Sequence, residues 1–255
     1  MSLTVSYIDV GKGDCILIEA SGNTVLIDTG YEETSDDGLS YLRKRGVDQL
    51  RHVILTHYDQ DHVSGLGAIA KAMPVGEVCL PNYEGGDKNY RNVMDTISSL
   101  NLSARQITEE EAIQLGDAIL TIIPTSLTYE KGSGGSEGND NDLSLVATLT
   151  NHKDSYLFSG DLEKKGIAAY LDDARGTFDV LKMPHHGEWC GRTDELVDDV
   201  SPRLAIITDG EDDPAEKKTL NYLDDVGVDT YRTSTNGTIV VESHGLGDYT
   251  VTKQR

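Results

Sequence analysis

Six consecutive residues, His57-Tyr58-Asp59-Gln60-Asp61-His62, place four potential metal ligands directly after the apolar run Arg51-His52-Val53-Ile54-Leu55. A lone histidine is usually a packing residue, but two histidines and two aspartates with no aliphatic residue among them are poor core material. On an extended or turning segment the alternate residues His57 and Asp59 face one cation, while Asp61 and His62 turn toward a second nearby. Four ligands cannot complete two coordination shells. Two further stretches supply more: Asp161 in Ser159-Gly160-Asp161 follows the strand-like Ser155-Tyr156-Leu157-Phe158, and the pair His185-His186 follows Phe178-Asp179-Val180-Leu181. Singly these are a common turn and a surface pair. Together with the first cluster they describe a two-metal site of the kind that activates water for hydrolysis.

Holding such a site requires strands that end where the ligands begin. The first thirty residues read as a three-stranded meander (4–10, 15–19, 24–28) with turns at Gly11-Lys12-Gly13-Asp14 and Ser21-Gly22-Asn23. A helix ending at Arg45-Gly46 leads into the strand at 51–55. Further helices are expected at 63–72, 89–100, 163–173, 193–199 and 215–225, and strands near 118–123, 143–150, 155–159, 178–182, 203–207 and 237–243. This order suits an α/β domain over residues 1–255, in which each half contributes one sheet, the sheets pack face to face and helices cover the outer faces. The low-complexity stretch Lys131 to Gly138 is expected to be a mobile loop bordering the site, because it runs straight into Asn141.

Composition limits the partners. Against 44 Asp+Glu the chain carries 22 Lys+Arg, a net charge of −22. Such a surface repels duplex phosphate backbones and anionic lipid. The pairs Asp172-Asp173, Asp198-Asp199 and Asp224-Asp225 belong on solvated faces. Three widely spaced cysteines, Cys15, Cys79 and Cys190, form neither a disulfide framework nor a cysteine zinc site. No apolar run approaches the roughly 18 residues of a membrane span. No targeting pattern opens Met1-Ser2-Leu3-Thr4-Val5, so the cytoplasm is the expected compartment.

Seven ordered motifs carry a resemblance: Tyr7-Ile8-Asp9-Val10-Gly11-Lys12-Gly13-Asp14, Val25-Leu26-Ile27-Asp28-Thr29-Gly30, Leu55 to His62, Asn141-Asp142-Leu143-Ser144-Leu145-Val146, Phe158-Ser159-Gly160-Asp161, Leu181-Lys182-Met183-Pro184-His185-His186-Gly187, and Tyr231-Arg232-Thr233-Ser234-Thr235-Asn236-Gly237. In these the chain resembles the metallo-β-lactamase superfamily, with its HxHxDH signature, and in particular the soluble hydrolase domain of the ComEC DNA-uptake (competence) family. The resemblance implies the four-layer αββα fold. It also implies two divalent ions, zinc or manganese, sharing a bridging hydroxide. His57 and Asp59 would hold one ion, Asp61, His62 and His186 the other, and Asp161 would bridge them. Asn141 falls where many members carry a third histidine, making it a first-metal or substrate contact. Asp59 replaces the second signature histidine, and both changes favour a harder ion. Asp28 would prop the His57 loop, Asp61 would aim the hydroxide, and His185 would face substrate as a proton donor. Asp213 precedes Pro214 where the resemblance leads one to expect histidine, so that phosphate contact is not carried over.

The expected function is metal-dependent hydrolysis, of a phosphodiester in a short nucleic acid or small molecule. The alternatives are a lactone or lactam hydrolase of the same fold and a non-catalytic metal-binding sensing module. Transport and membrane binding are not carried over, and no protein partner is implied.

Overall fold

The computed structural model describes residues 3–129, 140–173 and 175–255. The glycine-serine loop expected at 131–138 lies outside the described residues. The chain opens with β1 (Leu3–Tyr7), β2 (Ile16–Ala20) and β3 (Asn23–Ile27), the expected meander. It continues through α1 (Ser35–Lys44), β4 (Leu50–Ile54), α2 (Gln60–Val63), α3 (Leu66–Ala72), β5 (Val75–Leu80), α4 (Lys88–Ser99), β6 (Ala104–Gln106), β7 (Glu111–Leu115) and β8 (Ala118–Ile123). Then come β9 (Val146–Asn151), β10 (Asp154–Phe158), α5 (Lys164–Leu171), β11 (Val180–Lys182), α6 (Thr193–Val200), β12 (Leu204–Ile207), α7 (Lys217–Asp225), β13 (Asp229–Arg232), α8 (Thr233–Asn236), β14 (Ile239–Ser243) and β15 (Tyr249–Lys253).

These strands form two mixed sheets, β15-β14-β1-β2-β3-β4-β5-β6 and β13-β12-β11-β10-β9-β8-β7. The halves of the chain are less separate than expected. β14 and β15 return to the first sheet, where Leu3 pairs with Ser243, and β7 and β8 join the second. The first sheet is otherwise short of strands beside β1, and the return covers its open edge.

Burial on both faces explains the apolar character of the central strands. Val25 and Ile27 point between the sheets with Ile18, Leu149, Tyr156, Phe158 and Ile206, while Leu26 points outward to Leu42, Leu66 and Ile69 of α1 and α3. The second sheet repeats the alternation: Val180 faces inward, and Leu181 packs outward on Ile167, Leu196 and Val197 of α5 and α6. The result is a helix-sheet-sheet-helix sandwich. The three acidic pairs are exposed, and all three cysteines are free thiols.

Each sheet contains a parallel run, β3-β4-β5-β6 in one and β10-β11-β12-β13 in the other. Parallel strands deliver their carboxyl ends to one edge of the sheet, which is where open α/β sheets carry their sites. Asp28 follows β3, Thr56 and His57 follow β4, Asp161 follows β10, His186 follows β11 and Thr208 follows β12.

A close backbone approach holds one of these loops. A Cβ on Gly65 would lie 2.2 Å from the Thr29 carbonyl oxygen. The Thr29 amide and hydroxyl both donate to the His62 carbonyl, at 2.6 and 2.9 Å. Gly65→Ala must therefore push Thr29 against the His62 turn. Urea unfolding should show a loss of about 1–3 kcal/mol, the usual cost of overpacking; an unchanged midpoint would mean that the loops tolerate separation.

Candidate metal centre

Three histidines converge with their ring nitrogens already sorted. Thr56 Oγ1 donates its single proton to Asp28 Oδ2 (2.7 Å), so at 3.0 Å from His57 Nδ1 it can only accept. His57 therefore carries its proton on Nδ1 and presents a bare Nε2. His62 Nδ1 faces Asp28 Oδ2 at 2.8 Å, and His186 Nδ1 lies 3.0 Å from the Thr208 carbonyl, which cannot donate. Both rings again turn Nε2 inward.

Those inward nitrogens need a cation. His62 Nε2 and His186 Nε2 are 3.2 Å apart, and Asp161 Oδ2 lies 3.1 Å from each. Asp61 Oδ2 completes the group, 3.2 Å from His186 Nε2. The ligand atoms of Asp61, His62, Asp161 and His186 all lie within 4.8 Å of one another. Two lone pairs at contact distance must be bridged by a proton or a metal ion. His57 Nε2 is buried without a hydrogen-bond partner among the described residues, 3.6 Å from Asp59 Oδ2. The His57 and His62 ring centroids are 4.2 Å apart, so the two halves adjoin. The four-residue cluster fits a divalent ion, and His57 and Asp59 set two further donors beside it.

The supporting groups were only partly visible in the sequence. Asp28 sits beneath the His57 loop: its Oδ1 accepts from the Thr56 amide at 2.8 Å, and it is held at a positive φ of 58°. Lys182 was not anticipated. It is 0% exposed, and its Nζ donates to Asp14 Oδ2 (2.6 Å), to the Gly160 carbonyl (3.0 Å) and to Asp161 Oδ1 (3.3 Å). Asp161 thus spends Oδ1 on the lysine and turns Oδ2 toward the imidazoles. Asp14 Oδ1 accepts from Thr208 Oγ1 at 2.6 Å, closing the network back to His186. The only sequence signal was that Asp14 and Lys182 lay inside quoted motifs.

Asn141 donates from Nδ2 to Glu163 Oε1 at 3.1 Å, and its Oδ1 is buried without a partner among the described residues. Its neighbour Asp140, absent from the sequence candidates, is hydrogen-bonded to Tyr83, while its Oδ1 is buried without a partner among the described residues. Burial first, then the charge of Asp59, makes it a weaker acid and raises its pKa to about 6. His185 and His186 occupy left-handed backbone at φ 47° and 52°, rare for histidine, and their rings diverge at 65°. His186 enters the cluster. His185 lies outside it, 3.4 Å from Glu163 Oε1 and 3.7 Å from Glu188 Oε2.

Burial alone would make His186 less basic, but Asp161 beside it and hydrogen bonds to Asp161 and Asp61 push it up to about 9. Burial is likewise overcome at His62, which Asp161, Asp28 and Asp61 hold well above the usual imidazole range. Asp61 moves the opposite way: against burial, His62 and His186 pull it below the usual carboxylate range. The raised histidines stabilise the fold fully below about pH 6.5 and cease to do so as pH rises through about 9; the depressed carboxylates contribute above about pH 3.9 and are lost below it. Chelator-treated protein should therefore melt highest between about pH 4 and 6.5 and lower at pH 9. Cation affinity should rise over that same upper interval, because a metal displaces the ring protons. Thermal melts in chelator, and calorimetry in two buffers of different ionisation heat, test this; a flat melting profile with no proton release would contradict it.

The sequence profile of the metallo-beta-lactamase superfamily matches residues 8–207. ComE operon protein 3 of Bacillus subtilis is 27% identical over 257 residues, covering 92% of this chain and 32% of that protein. Recombination protein 2 of Haemophilus influenzae is 28% identical over 215 residues, covering 82% of this chain and 24% of that protein. The chain thus spans about a third or less of the length of these curated relatives. Among solved structures, the metallo-beta-lactamase fold protein YhfI from Bacillus subtilis superposes with a TM-score of 0.60 at 10% identity, over 95% of this chain and 99% of that one. The profile reaches from the β1 loop to the end of β12 and so encloses every strand end that feeds the cluster; this chain belongs to the metallo-β-lactamase superfamily and is similar to its ComEC-type competence members.

Proposed function

We propose that this chain is a divalent-metal-dependent phosphodiesterase acting on short nucleic acid or small phosphodiesters in the cytoplasm. Its superfamily consists generally of metal-dependent hydrolases. One observation carries the finer reading: the donor set is rich in carboxylate, with Asp59, Asp61 and Asp161 beside three imidazoles, and hard oxygen ligands suit ions such as Mn²⁺ that work on phosphate. The recombination in the name of the Haemophilus relative supports nucleic acid as substrate. The charge of −22 favours short or single strands over long duplex.

In this reading His57 and Asp59 would hold one ion, with Asn141 as a further contact to that ion or to substrate, and Asp61, His62 and His186 would hold the other. Asp161 is shared. Residues 1–255 act as one domain, in keeping with the return of β14 and β15 to the first sheet. When bound, the ions supply a water of lowered pKa and stabilise charge developing on the phosphoryl oxygens. The chain's own groups orient and move protons. Asp61 is placed to accept a hydrogen bond from the attacking water. His185, 19% exposed and flanked by Glu163 and Glu188, is placed to give a proton to the leaving oxygen. Lys182 fixes the rotation of Asp161.

Stripped protein reloaded with Mn²⁺ should cleave bis(p-nitrophenyl) phosphate or short single-stranded DNA faster than protein reloaded with Zn²⁺. Asp161→Ala should lose about 10²-fold or more, the usual weight of groups that hold or orient a metal. His185→Ala should lower kcat while metal content stays normal. Efficient cleavage of a homoserine lactone or chromogenic cephalosporin, with phosphodiesters untouched, would replace this reading by the lactone or lactam hydrolase.

A further inference from the structure

Lys12 stands where three loops of the site meet. Next to it, a Cβ on Gly13 would lie 2.6 Å from the Asp61 carbonyl oxygen, and the Gly13 amide donates to the Thr208 carbonyl at 3.3 Å, the same carbonyl that receives His186 Nδ1. Lys12 Nζ makes two bonds of equal length, 2.8 Å to Glu188 Oε1 and 2.8 Å to Asp213 Oδ2. Glu188 reaches His185 with its other oxygen at 3.7 Å. The chain of charges is thus Glu163, His185, Glu188, Lys12, Asp213, drawn along one edge of the cluster.

This edge carries one carboxylate more than Lys12 requires. The side chains differ in exposure: Lys12 is 20% exposed, Glu188 41% and Asp213 65%. Tyr31, the other group in that neighbourhood, feels Asp61, Lys12, His62 and Asp213 together. An ion pair with so exposed a partner is weak and easily exchanged. A lysine ammonium is a mobile point charge well suited to a phosphate oxygen. In a chain of charge −22, with Asp59, Asp61 and Glu163 also at the site, an incoming phosphodiester anion meets repulsion from most directions.

We propose that Lys12 is a substrate anchor, that an anionic phosphodiester oxygen takes the place of Asp213 on it, and that Glu188 holds the ammonium toward His185 meanwhile. The proposal rests on the phosphodiesterase reading for its substrate. Asp213 is then a competitor for the anchor, which gives the two partners of one ion pair opposite effects. Lys12→Gln should raise KM for bis(p-nitrophenyl) phosphate about tenfold, the weight of a hydrogen bond to a charged group. Asp213→Asn should lower it about threefold, the weight of an exposed ion pair. Lys12→Arg should keep most of the affinity, and metal content should stay near wild type in all three.

The same variants, loaded with Mn²⁺, can be titrated with inorganic phosphate by calorimetry, a readout that needs no turnover. Phosphate affinity should fall in Lys12→Gln and rise in Asp213→Asn. If both substitutions shift KM and phosphate affinity in the same direction, following the melting temperature, or shift neither, the pair is a structural tie and the anchor is overturned. If phosphate affinity moves in opposite directions while wild type cleaves no phosphodiester, the anchor stands and the phosphodiesterase reading falls.

Discussion

Asp14, Asp28 and Asp161 are 1%, 0% and 2% exposed, and a carboxylate taken that far from water costs several kcal/mol unless cations or donors replace its hydration. The surroundings of the cluster can be understood as the answer to that cost. Asp28 receives two bonds from Thr56 and one from His62. Asp14 receives Lys182 and Thr208. Asp161 receives Lys182 on one oxygen and faces both imidazoles with the other. Because each acid is compensated, the rings it orients keep one tautomer, and the inner nitrogens point where a cation can meet them.

The sandwich exists to bring those groups to one edge. Its two parallel runs end side by side, so residues far apart in sequence become neighbours at the strand ends. Two successive non-glycine residues in left-handed backbone, His185 and His186 at φ 47° and 52°, fall at the same edge. Two adjacent histidines on regular extended backbone would point to opposite faces. The left-handed pair instead places one ring in the cluster and the other beside Glu163 and Glu188.

The residues that could ligate metal were legible in the sequence because they stand in dense polar motifs after apolar strands. The central strands were legible because their apolar runs are long. The four sheet edges, β6, β7, β13 and β15, were not read as strands; for three of them composition explains why, since Ala104–Gln106, Asp229–Arg232 and Tyr249–Lys253 have no fully buried residue and carry mixed polar side chains. β5 escaped as well, with Gly76 and Glu77 interrupting its apolar run. Lys182, Asp14 and Thr208 could not be assigned from sequence because their roles arise from pairing across the fold. A lysine in an apolar strand otherwise reads as a surface residue.

The union of β1 with β14 sets a timetable for the molecule. Leu3 cannot find Ser243 until most of the chain has been made, and the ends of β3, β4, β10, β11 and β12 cannot meet before both sheets have docked. Contacts of such sequence separation make nucleation slow. The donor set of Asp61, His62, Asp161 and His186 is complete in no earlier fragment, so full coordination of a cation would come at the close of folding, and its loss would accompany opening of that edge. Bound metal then stabilises by mass action, in proportion to the logarithm of its free concentration over its dissociation constant. Cation supply would thereby enter the resistance of this edge to opening through the same logarithm, without any contact beyond those that hold the cluster.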